Sequence, residues 1–183
     1  MRRISRRFFA ASLFSLVALL PMTAQASGPV IEYVAGTEYA VGSCPNGGGD
    51  SGSFAGYGSL TLGGRANAVF NTTICHGPLG DTNEATATIN QGGSFTLVTS
   101  TVALAGSYTT GTVGPGKVYR GFFLCKEVFP VVADLGPATS PPAGFTNISR
   151  GSATGTLTHI GFNTAGGGCH PFAAAITGMA TLY

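Results

Sequence analysis

All 29 glycines lie after residue 27, and they separate short runs rich in threonine, alanine and valine. Glycine in a helix interior costs about 1 kcal/mol relative to alanine, whereas tight turns and bulges need its freedom. The residues between agree. There are 22 threonines, a β-branched type that suits the outer face of a strand, and almost no apolar pattern of period 3.6. The chain is therefore expected to be all-β. Val30 to Ala35 and Thr37 to Gly42 read as two strands parted by a bend at Gly36, followed by a loop over 44–52. Ser53 to Leu62 and Arg65 to Ile74 follow, joined by the hairpin signal Gly63-Gly64. Glu84 to Asn90, Ser94 to Leu104, Ser107 to Val113, Lys117 to Cys125 and Glu127 to Ala133 continue the pattern. A proline-rich loop from Leu135 to Gly144 precedes Ala153 to Phe162 and Phe172 to Leu182. About nine to eleven short antiparallel strands at this spacing predict a β-barrel or a β-sandwich.

The first residues belong to a different object. Arg2, Arg3, Arg6 and Arg7 precede an apolar stretch from Phe8 to Leu20, and Thr23-Ala24-Gln25-Ala26 supplies small residues for cleavage before Ser27. Residues 1–26 read as a cleaved signal peptide and 27–183 as a single all-β domain. Ser5-Arg6-Arg7-Phe8-Phe9-Ala10 resembles the twin-arginine signature, which implies export of folded cargo; the general secretory route is the alternative. Either route sends the protein to the periplasm or the extracellular space. The apolar stretch is too short for a lasting anchor, so no transmembrane segment is expected after cleavage.

Losing the signal inverts the charge. Arg65, Lys117, Arg120, Lys126 and Arg150 then face seven acids, a balance of −2 in place of +2. No basic patch remains to neutralise a run of phosphates, which argues against nucleic acid as a partner. Small molecules, carbohydrates and cell-surface partners stay open. Uncharged strand edges are also poorly defended against pairing with another copy, so a homo-oligomer is a further expectation.

Four cysteines in an exported chain favour two disulfides among Cys44, Cys75, Cys125 and Cys169. An internal echo bears on their pairing. Ser59-Leu60-Thr61, Phe70-Asn71-Thr72 and Cys75-His76 are followed later by Thr156-Leu157-Thr158, Phe162-Asn163-Thr164 and Cys169-His170. A diverged duplication would pair Cys44 with Cys75 and Cys125 with Cys169. Chance matching in so repetitive a composition leaves all three connectivities open.

Catalytic constellations are few. Gly49-Asp50-Ser51-Gly52 resembles the nucleophile segment of chymotrypsin-like proteases, but that chemistry needs a histidine upstream, and none lies between residues 27 and 51. Period-2 alternation puts His159 on one face with Leu157 and Gly161, where it would act as an acid–base group beside Glu127 or Asp134. His76, His159 and His170 form the candidate set for zinc or another divalent metal. A cysteine-containing site at Cys75, His76, Cys169 and His170 is disfavoured because export oxidises thiols. Tyr33, Tyr39, Tyr57, Tyr108 and Tyr119 read as core or cross-strand residues, with a carbohydrate platform as the alternative. The leading expectation is a non-catalytic binding or surface-structural domain without a cofactor. The alternative is a small barrel enzyme or metal protein built on the three histidines.

Overall fold

The computed structural model describes residues 30–45, 49–60, 67–80, 83–99 and 102–183. The expected signal peptide and the Gly63-Gly64 turn lie outside the described residues. The strands are β1 (Val30–Ser43), β2 (Asp50–Leu60), β3 (Asn67–His76), β4 (Ala87–Thr88), β5 (Ser94–Val98) and β6 (Ala103–Val113). They continue with β7 (Lys117–Arg120), β8 (Leu124–Gly136), β9 (Thr146–Asn147), β10 (Gly151–Asn163) and β11 (Cys169–Leu182). Eight of them close an antiparallel barrel. The circuit runs β1–β2–β3–β5–β6–β8–β10–β11 and returns to β1. A barrel, not a sandwich, is the outcome.

Several expected boundaries move, each for a local reason. Gly36 does not divide β1, because it is paired on both sides, with Gly56 of β2 and Ile176 of β11. The irregularity falls three residues later, where the register with β2 jumps from Glu38 to Ala40. The loop expected over 44–52 gives way to strand at Asp50. The expected strand from Ser94 to Leu104 is instead a hairpin. The Thr99 amide donates to the Val102 carbonyl and the Val102 amide donates back to Thr99 Oγ1, both at close to 3 Å (2.8 and 2.9 Å). The run from Lys117 to Cys125 also turns, at Gly121-Phe122-Phe123, where the Gly121 amide donates to the Leu124 carbonyl. Glu84 to Asn90 shrinks to the two residues of β4.

Eight strands enclose an interior that side chains can fill. Odd residues of β8 and β10, and even residues of β1, β2 and β3, point inward. Phe54, Phe70, Leu97, Phe129, Val131 and Leu157 are among the buried residues of the single core cluster. Outside stand Thr154, Thr177, Asn71, Val132 and Asp134. β1 and β2 approach closely at Gly56, where an added Cβ would run into the Ala35 carbonyl oxygen. Because the strands alternate in direction, the ends next to Cys44, Cys75, Cys125 and Cys169 all gather at one mouth of the barrel.

Candidate functional site

Polar side chains interrupt the apolar interior at two levels. At the cysteine-bearing mouth, His159 of β10 and Glu127 of β8 are directly paired in register and both face inward. His159 Nδ1 lies 3.3 Å from Glu127 Oε2, and the ring meets Phe129 edge-on with centroids 5.5 Å apart. Burial holds the imidazole below its ordinary range, and the neighbouring His76 pushes in the same direction. A neutral His159 thus donates from Nδ1 to the carboxylate and presents Nε2 as an acceptor. His76, Glu38, Asp50 and His159 line one open cleft over this mouth, with Phe172 at its rim. Desolvation also raises the Glu38 carboxyl.

The predicted acid–base partner Glu127 is therefore in place, whereas Asp134 is not. Asp134 pairs with Ser152 and points out of the barrel, because it lies an odd number of residues from Glu127. Two of the three candidate histidines, His76 and His159, share the cleft; His170 is exposed on β11 and does not line it. Among the described residues, no three histidine, cysteine or acidic side chains come close enough to hold a metal ion. Of the tyrosines, Tyr108 is core, whereas Tyr33, Tyr39, Tyr57 and Tyr119 are exposed.

One of the two expected disulfides is formed, and the echo-derived partners of the other stand near each other as free thiols. Cys125 and Cys169 form a disulfide, compatible with an exported, oxidising location. Cys44 and Cys75 are adjacent buried thiols. Burial, followed by the hydrogen bond and charge interaction with Cys44, pushes the Cys75 thiol up to about 12.

The second level was not anticipated from the sequence. Glu32 of β1 is 1 % exposed, and neither carboxyl oxygen has a hydrogen-bond partner among the described residues. It faces a cavity of about 60 Å³ walled by Val34, Phe70, Phe95, Leu135 and Ile176. Roughly 10–15 Å³ suffices for one water, so the space suits a few heavy atoms. Desolvation raises the Glu32 carboxyl to about 7. The carboxyl occupies space that only a glycine leaves free, since a Cβ on Gly58 would overlap Glu32 Oε1. Farther along the same cavity, Thr72 Oγ1 donates to the Ser94 carbonyl at 3.0 Å and lies 2.7 Å from the Tyr108 hydroxyl. Tyr108 therefore donates to Thr72 and keeps its own lone pairs available.

Glu32, Val34, Gly36 and Glu38 alternate with Tyr33, Ala35 and Thr37, a phase that permits either face of β1 to be inside. Side-chain polarity alone puts the tyrosine-bearing face inside. No protein-family model, no curated protein and no solved structure matches the chain.

Proposed function

We propose that the chain is an exported, non-catalytic binding domain that takes a small molecule into its barrel. The ligand has an apolar body and one polar or cationic group. The observation that carries this reading is Glu32, a buried carboxyl without a hydrogen-bond partner among the described residues, facing an apolar cavity. A buried polar group left unpaired costs roughly 1–3 kcal/mol, so a ligand that satisfies it gains what the protein forgoes. Small pockets with apolar walls and few polar groups are the usual form of a ligand site.

Ligand-observed NMR with a set of small amines, alcohols and amides tests it. Binders should compete for one site, and Ala153→Leu should abolish them, because Ala153 of β10 also lines the cavity and a leucine there fills it. A folded wild-type protein that binds none of the set, or binders indifferent to Ala153→Leu, would refute the reading.

A second reading rests on the other level. His159, oriented by Glu127 and open to the cleft on its far nitrogen, is arranged as a general base. A hydrolase and isomerase screen tests this directly. Turnover lost in His159→Ala but retained in Ala153→Leu would favour the enzyme.

A further inference from the structure

The β7–β8 hairpin ends in two phenylalanines that the fold does not use. Phe122 is 90 % and Phe123 70 % exposed, and they pack on each other, with ring centroids 4.4 Å apart. Their backbone is nevertheless firmly held. Asn163 donates from Nδ2 to the carbonyls of Gly121 and Leu124, at 2.8 and 3.3 Å, and its amide donates to the Phe123 carbonyl at 3.0 Å. A well-anchored turn thus presents two aromatic side chains to the outside.

The tip continues into a larger apolar face. Leu124 of β8 is in register with Phe162 of β10, and the next row of that face aligns Tyr119, Lys126 and Ile160. Phe162 packs on Phe172 at 4.8 Å between centroids. The five of these side chains other than Lys126 are large, apolar or aromatic, and exposed. Such a contiguous patch marks an interaction surface.

Charge identifies the partner. The cationic side chains on this face are Lys126 and, at its β7 edge, Lys117, with the exposed His170 paired beside Phe162; Arg120 is in register with the inward-facing Cys125 and lies on the opposite side of β7. The acids of the same strands are out of reach: Glu127 points into the barrel and Asp134 stands at the far end of β8. Glu84 lies beyond the outer edge of β7, next to Gly116, and Asp50 lies across the mouth on β2. Aromatic tips flanked by cations match an anionic bilayer surface, where rings enter the headgroup layer and lysines meet lipid phosphates.

We propose that the β7–β8 tip, with the Leu124–Phe162–Phe172 face, docks the barrel on an anionic lipid membrane. Docking there leaves the ligand cavity intact and does not depend on it.

The chain has no tryptophan, so Phe122→Trp supplies a single reporter at the tip. The oxidised protein is mixed with phosphatidylcholine vesicles containing about one third phosphatidylglycerol, and with vesicles of phosphatidylcholine alone. A blue shift and co-sedimentation are expected with the anionic vesicles. The wild-type chain should co-sediment equally well, and affinity should fall at least about tenfold in Phe122→Ser/Phe123→Ser. Removing each cation, Lys117→Gln or Lys126→Gln, should weaken binding roughly fivefold, an effect lost at high salt. Both tip side chains are exposed, and an unchanged circular dichroism melt checks that the serine variant folds. Absence of binding to anionic vesicles overturns the proposal. So does concentration-dependent dimerisation that the serine pair abolishes while vesicle binding persists, because the face then belongs to a second copy.

Discussion

Among the described residues the Glu32 carboxyl has no hydrogen-bond partner, so desolvation beside an apolar cavity governs it and makes it a sensitive probe of the barrel. Its folded-state value of about 7 lies above the ordinary 4.5. The folded protein therefore holds a proton that the unfolded chain releases between these values. The Glu32 contribution to stability is most favourable below about pH 4.5, declines as the pH rises, and carries the full penalty above about pH 7. The difference corresponds to about 3 kcal/mol. Glu32→Gln should abolish that slope and stabilise the barrel at pH 8 while leaving it nearly unchanged at pH 4.5. Urea unfolding at both pH values checks this, and equal slopes in the two proteins would contradict it. His159 works in the opposite sense. Its imidazole is held below 6.5 by burial and by His76, so its contribution is complete above pH 6.5 and is lost as the pH falls through the folded value. An NMR titration should place the midpoint below 6.5; a midpoint above it would mean that attraction to Glu127 outweighs desolvation. These two residues differ in how visible they are in the sequence. His159 is legible because Leu157 and Gly161 flank it with period 2, and β10 keeps that phase. Glu32 is not, because the same alternation permits either face of β1 to be inside. The barrel buries the glutamate face, whose glycines allow close approach of β2, and leaves Tyr33 and Tyr39 outside.

At the scale of strands, the cysteine mouth and the hairpins decide how the chain is held. Cys125 and Cys169 start β8 and β11 and are joined over a sequence separation of 44. Closing a loop of that length in the unfolded chain is worth about 4 kcal/mol in the chain-entropy treatment. Replacing both cysteines by serine should lower the unfolding free energy by that order, measured by denaturant titration. Cys44 and Cys75 stand ready for the same bond at the ends of β1 and β3. Mild oxidation should join them, and a non-reduced peptide map should show Cys44–Cys75; a Cys44–Cys169 peptide would contradict the arrangement. The existence of the long strands was readable from glycine spacing and threonine content, and so was their barrel-or-sandwich class. Their joints were less so. A turn such as Thr99 to Val102 carries no glycine, because a threonine hydroxyl supplies the capping bond, and Gly121-Phe122-Phe123 resembles strand in composition. Conversely, Gly36 looks like a break but sits inside a paired strand. Asp134 and His170 fail as site residues for a related reason: alternation places them on outer faces, a fact set by neighbouring strands.

Over the whole molecule, the barrel wall is not equally strong around its circumference. β10 and β11 stay paired from Gly151–Leu182 to Asn163–Cys169, with one register shift between Ile160 and Gly161, and are tied by the disulfide at one remove, through β8. β1 and β2 are similarly long. β5 is the exception, a strand of five residues holding β3 on one side and β6 on the other. Opening costs rise with the number of hydrogen bonds and the apolar surface lost, so the wall should open first at β5. This strand also contributes Phe95, Thr96 and Leu97 to the Glu32 cavity, so opening of the weakest part of the wall widens access to that site. Native-state hydrogen exchange should show the β5 amides exchanging by local opening, at a free energy well below that of β10 and β11. A ligand in the cavity should slow β5 exchange selectively and leave β10–β11 amides at the global limit. Uniform exchange around the circuit would mean that the barrel wall opens only by global unfolding, and that ligands reach Glu32 without any opening of β5.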